Sequence, residues 1–137
     1  MNNKIIKALK VMDGMNIKEF TKQEKLEVIS TKDLDSNEDG CLIENKIFVR
    51  KNLERYYRRF VILHEIGHHI MHREDSLAFS YSFLGHRNKI EVEADNFACM
   101  KLLEDIDLEN VDILDLLQRK GVPLKIAIRF IEMYKRK

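Results

Sequence analysis

Proline occurs once, glycine five times and cysteine twice in 137 residues. So little of the two backbone-breaking residues excludes a low-complexity or disordered chain and suits a helix-rich globular one. The cysteines, Cys41 and Cys99, stand in no metal-binding or redox spacing. Two reduced thiols in a cytoplasmic protein are the simplest reading. An excess of one charge is also missing: Lys plus Arg number 24 and Asp plus Glu 23, so the chain has no strong field for polyanions and direct nucleic-acid binding is not expected. No run approaches the roughly 18 uncharged apolar residues of a membrane span. The first ten residues, interrupted by Lys4, Lys7 and Lys10, lack the apolar run and cleavage site of a signal peptide. The expectation is one domain over residues 1–137, with no internal repeat.

What is present is periodicity. Ile5, Ile6, Leu9 and Met12 at helical spacing predict a short helix over 3–12, stopped by Asp13-Gly14. Leu26 to Ile29 reads as a strand and Asp33 to Gly40 as a loop. Cys41-Leu42-Ile43 and Ile47-Phe48-Val49, separated by Glu44-Asn45-Lys46, read as a hairpin of a small antiparallel sheet. From Leu53 to His72 the pattern is again helical, through Tyr57, Phe60, Val61, His64, His68 and Met71. Arg73 to Asn88 reads as an ordered loop near that helix. Further helices are expected from Ile90 to Glu104, from Val111 to Lys120 and from Pro123 to Tyr134, the last opening on its proline.

The segment His64-Glu65-Ile66-Gly67-His68 carries the chemistry. Histidines at i and i+4 share one helical face, and both imidazoles can reach a single zinc ion at ~2.0–2.1 Å. Glu65, rotated by about 100° along the helix, addresses a water on that ion and takes the role of general base. A catalytic zinc site normally has three protein ligands, so a third must come from elsewhere. The acidic stretch Ile90 to Ala98 offers Glu91 as ligand and Asp95, one turn on, as the acceptor for a ligand histidine's N–H. Glu93, on a different face, is the alternative ligand. The apolar flank Phe60 to Leu63 and Gly67, which permits close backbone approach where helix propensity prefers Ala by ~1 kcal/mol, favour a built site over two surface histidines.

These pieces together resemble the ImmA/IrrE-type metallopeptidases, a group of HExxH zincins. Gly40 to Val49 looks like that family's hairpin, Arg59 to His72 like its active-site helix, and Glu91 to Ala98 like its third-ligand helix. The resemblance implies an α+β zincin-like fold, with a small sheet packed on the active-site helix and a helical C-terminal half. It also implies a zinc peptidase whose protein substrate is a helix-turn-helix repressor of a phage or mobile genetic element.

Other residues have blander readings. Tyr81, His86 and Arg87 are candidate oxyanion donors. His72 reads as a helix-end histidine favoured by the dipole or bonded to a loop, and His69 as structural or exposed. Phe60, Leu63, Ile70 and Phe97 read as core. The basic residues Arg119, Lys120, Lys125, Arg129, Lys135, Arg136 and Lys137 read as a solvated face rather than a DNA-binding element, and the acidic run Glu104 to Asp112 likewise. Two other functions compete with this reading: a non-catalytic antirepressor that sequesters its partner, and a DNA-binding regulator.

Overall fold

The computed structural model describes residues 2–73 and 84–136, with the side chains of 84–87 outside that description. Its elements in chain order are α1 (Asn3–Val11), α2 (Ile17–Glu24), β1 (Glu27–Thr31), β2 (Gly40–Ile43), β3 (Lys46–Arg50), α3 (Arg55–Met71), α4 (Leu84–Leu102), α5 (Ile113–Arg119) and α6 (Leu124–Lys135). The architecture is α+β: a three-stranded sheet on one side of α3 and helices around the rest.

Helix α1 starts on Asn2, whose side chain accepts the N–H of Ile5, and buries Ile5, Ala8 and Met12 against α3 and α4. Lys101 of α4 donates to the Met12 carbonyl at 2.9 Å, fixing the far end of α1. Helix α2 is absent from the sequence expectations. Its signal is a capping box in which Asn16 and Glu19 each accept the other's backbone N–H, a pattern that satisfies two of the helix's orphan donors. With eight residues it is too short to stand alone in water, and burial of Phe20 holds it to the core.

The hairpin is antiparallel as read, with a Glu44-Asn45 turn in which Glu44 takes a positive φ of 55°. The sheet as a whole is mixed. Strand β1 pairs with β3 in parallel, Glu27 opposite Lys46 through Thr31 opposite Arg50, giving the order β1-β3-β2. The physical reason lies in the connection. Residues 32–39 carry the chain across to the far edge of β3, so β1 and β3 run the same way, as two strands without a tight turn between them can. Central β3 points Ile47 and Val49 into the core, both fully buried. Arg50 bonds Asp39 at 3.0 Å and the carbonyls of Asp35 and Glu38. Tyr57 of α3 donates to the other Asp39 oxygen at 2.6 Å. The loop before β2 is thereby tied to both sheet and helix.

Helix α3 begins on Glu54, whose carboxylate accepts the N–H groups of Tyr56 and Tyr57. Phe60 to Leu63 and Ile66 are buried; each such side chain contributes about 1.5–3 kcal/mol. Helix α4 packs along α3 more extensively than any other pair of described elements. Gly67 allows this: a Cβ there would lie 3.1 Å from Phe97 Cδ2 and 3.4 Å from Ala94 Cα. Helix α4 starts at Leu84, earlier than Ile90, so the C-terminal part of the expected loop is helical. Gly85 and Asn88 are poor helix formers, but extending an existing helix costs far less than nucleating one. Helices α5 and α6 complete the core through Leu117, Ala127 and Phe130, with Pro123 as the cap of α6. No helix among the described residues is long and apolar enough to cross a membrane.

Candidate metal centre

Four residues apart on α3, His64 and His68 turn their imidazoles to the same side, with Nε2 atoms 3.1 Å apart. From α4, Glu91 sets Oε1 2.7 Å from His68 Nε2 and Oε2 3.3 Å from His64 Nε2. Ligand atoms of these three residues lie within 4.8 Å of one another. The histidines are largely buried and Glu91 is half-exposed. Glu65, on the neighbouring side of α3, is buried, with Oε2 3.9 Å from His64 Nε2.

Surrounding bonds fix the ring tautomers. Asp95 Oδ1 lies 2.7 Å from His64 Nδ1; a carboxylate only accepts, so Nδ1 carries a proton, and in the neutral ring Nε2 presents a lone pair. On the other ring, Glu93 Oε1 lies 2.9 Å from His72 Nε2, which must therefore donate. His72 Nδ1 is then an acceptor, and it takes the N–H of His68 Nδ1 at 2.9 Å. In the neutral ring His68 Nε2 is left with a lone pair too. With both rings neutral, two imidazole lone pairs and a carboxylate face one another and can share a cation, and this donor set suits a divalent metal such as zinc. The residues fit the ion that the motif implies.

The same carboxylates favour positive charge at this point. Burial lowers the His64 pKa, but the hydrogen bonds to Asp95 and Glu91 and the Glu65 charge outweigh it, so in the metal-free protein His64 holds a second proton well above the usual imidazole range, a charge that a bound cation would replace. Burial raises Glu91, and the bonds with His64 and His68 more than reverse this, leaving its carboxyl far below the ordinary range. For Glu65, burial dominates and pushes the carboxyl up against the lowering effect of the two histidines, which makes it a stronger proton acceptor. Burial pushes His72 down to about 4 despite its bond to Glu93, so this ring is neutral near pH 7.

Of the residues singled out in the sequence, His64, Glu65, His68 and Glu91 come together, with Asp95 behind His64. Glu93 does not join them: it turns to His72, to Asn2 Nδ2 at 2.9 Å and to Lys4. His72 caps the end of α3 as read, and is buried with its ring nitrogens toward Glu93 of another helix and toward His68. His69 is buried and structural, with Nε2 3.2 Å from Glu24. Phe60, Leu63 and Phe97 are core, and Ile70 is partly buried against it. Tyr81 lies outside the described residues, as do the side chains of His86 and Arg87. Arg129, expected on a solvated face, is exposed there and its guanidinium also pairs with Asp95 Oδ2, because α6 runs past α4. Neither Arg129 nor Asn2 carries a local signal of such a role. Gly40, a loop end and the start of the hairpin in the sequence reading, has a further role: a Cβ on it would lie 2.5 Å from Val61 Cγ1 and 3.2 Å from Glu65 Oε2.

A buried HExxH helix, faced by a carboxylate from the following helix and backed by a small sheet, defines a zincin-like α+β domain of the metallopeptidase type. More particularly, the family model for peptidase M78, the IrrE N-terminal-like domain, matches residues 17–131. The chain belongs to this family. No curated protein and no solved structure matches it.

Proposed function

We propose that this chain is a zinc-dependent endopeptidase, with His64, His68 and Glu91 as metal ligands and Glu65 as general base. Its substrate in this reading is a helix-turn-helix repressor of a phage or mobile element, cleaved in the cytoplasm. The carrying observation is the convergence of the His64 and His68 Nε2 atoms and the Glu91 carboxylate beside the buried Glu65. When bound, zinc supplies a Lewis acid that polarises a scissile carbonyl and lowers the pKa of water. Glu65 takes the proton of the attacking water on its carboxylate and returns it to the leaving amine. The upward push of burial on its carboxyl suits that exchange.

Strand β2 supports an extended substrate. It lies at the sheet edge, paired on one side by β3 and with no strand on its other side among the described residues. Its first residue, Gly40, abuts Glu65. An edge of this kind can pair with a peptide backbone. The two free cysteines agree with a reducing compartment.

A sequestering antirepressor with a structural ion is the second reading. Glu65 beside the centre favours catalysis, since a structural site needs no base and usually closes with four protein ligands. A DNA-binding role for the C-terminal helices loses Arg129, which is engaged by Asp95. The test is incubation of the full chain with any helix-turn-helix repressor found encoded beside it, with and without chelator, followed by mass analysis. Discrete fragments that vanish with chelator support the peptidase; an intact repressor held in a stable complex favours sequestration.

A further inference from the structure

The stretch matched to the family begins at residue 17, yet the start of α1 lies two side chains from a candidate ligand. Asn2 Nδ2 donates to Glu93 Oε2 at 2.9 Å. Glu93 Oε1 accepts from His72 Nε2, and His72 Nδ1 accepts from His68 Nδ1, each at 2.9 Å. The His72 and Glu93 side chains are almost fully buried. Burying an imidazole and a carboxylate is costly unless their polar atoms are bonded, and here both nitrogens of His72 and both oxygens of Glu93 have partners.

We propose that Asn2, Glu93 and His72 form a positioning chain that fixes the ring and tautomer of His68, so that the N-terminal helix sets how tightly the centre holds zinc. This rests on the metal-centre reading above. The chain mirrors the other ligand, where Asp95, itself held by Arg129, orients His64; outer partners of this kind commonly set metal affinity by 10–100-fold. Asn2 has two duties. Its Oδ1 caps α1 by accepting from Ile5, while its Nδ2 holds Glu93. Folding of α1 onto α3 and α4 and the orientation of His68 are therefore linked through one side chain.

The test measures zinc affinity of the full-length protein by competition with a chromophoric chelator, alongside thermal unfolding of the zinc-free form. His72→Leu removes the acceptor for His68 and should weaken zinc binding by about 10-fold or more. Glu93→Gln keeps volume but sets an amide NH2 against one of two donors, and should weaken it several-fold. Because Glu93 acts through His72, the double variant should bind no more weakly than His72→Leu alone. Asn2→Asp keeps the cap on Ile5 while replacing the Nδ2 donor with a second carboxylate. It should weaken zinc binding several-fold, even though the two facing carboxylates also lower the zinc-free melting temperature. If His72→Leu does not fold, Glu93→Gln and Asn2→Asp decide.

Variants that melt earlier yet bind zinc as tightly as wild type would reduce the chain to a structural contact and overturn the proposal alone. A wild-type protein that takes up no zinc would overturn the metal-centre reading and this inference with it.

Discussion

Asp95 Oδ1 accepts the Nδ1–H of His64 at 2.7 Å while Arg129, on the penultimate turns of the chain, holds the other Asp95 oxygen. The pair joins three helices at one point: α3 supplies the ring, α4 the carboxylate and α6 the guanidinium. Asp95→Ala should lower zinc affinity by about 10–100-fold, and Arg129→Met by less, since the His64 bond survives it. Chelator competition measures both. An Asp95→Ala protein that binds zinc like wild type would show that the carboxylate does not orient the ligand.

Glu65 stands apart from the atoms that meet at the centre, 3.9 Å from His64 Nε2. Glu65→Gln should therefore keep the metal and lose repressor cleavage by about 10²–10⁴-fold, the usual worth of a general base. Zinc content and fragment yield of the same purified protein give the answer. Full cleavage by the variant would remove Glu65 from the mechanism.

Gly40 tests the sheet's hold on the base. A methyl group there would need Val61 Cγ1, 2.5 Å away, to move. Val is stiff at χ1, so β2 shifts instead and Glu65 is disturbed. Gly40→Ala should cost about 1–3 kcal/mol of stability and reduce cleavage while zinc content stays at the wild-type level. Denaturant titration and elemental analysis separate the two effects; an unchanged stability would contradict the close packing.

The start of α3 gives a pH signature. Two backbone N–H groups on the Glu54 carboxylate, Tyr56 first and Tyr57 second, lower its pKa on folding. A carboxyl depressed in the folded state contributes stability above its unfolded pKa, and that contribution is lost as pH falls through the folded value. Wild type should exceed Glu54→Gln in melting temperature at neutral pH, and the gap should close as the solution is acidified. A gap constant down to strongly acidic pH would contradict a charged cap.

What could be read in the sequence was local. His64, Glu65 and His68 are fixed relative to one another by one helical turn, and Glu91 and Asp95 by another, so their shared faces follow from spacing. Arg129 lies 34 residues from Asp95 and Asn2 lies 91 from Glu93; no periodicity encodes such contacts, which exist only once α6 and α1 pack on α4. The parallel pairing of β1 was hidden for the same reason, since it depends on where residues 32–39 carry the chain. Helix α2 did have a local signal in Asn16 and Glu19, but its apolar face is too short to stand out. Gly67 is the converse case: a residue unfavourable for a helix taken alone marked the place where Phe97 comes close.

Zinc content of the purified full-length protein, beside His64→Ala, His68→Ala and Glu91→Ala, tests the central claim most directly. Elemental analysis should find about one zinc per wild-type chain and little in any of the three variants. Wild-type zinc in all three, or none in the native protein, would contradict the centre.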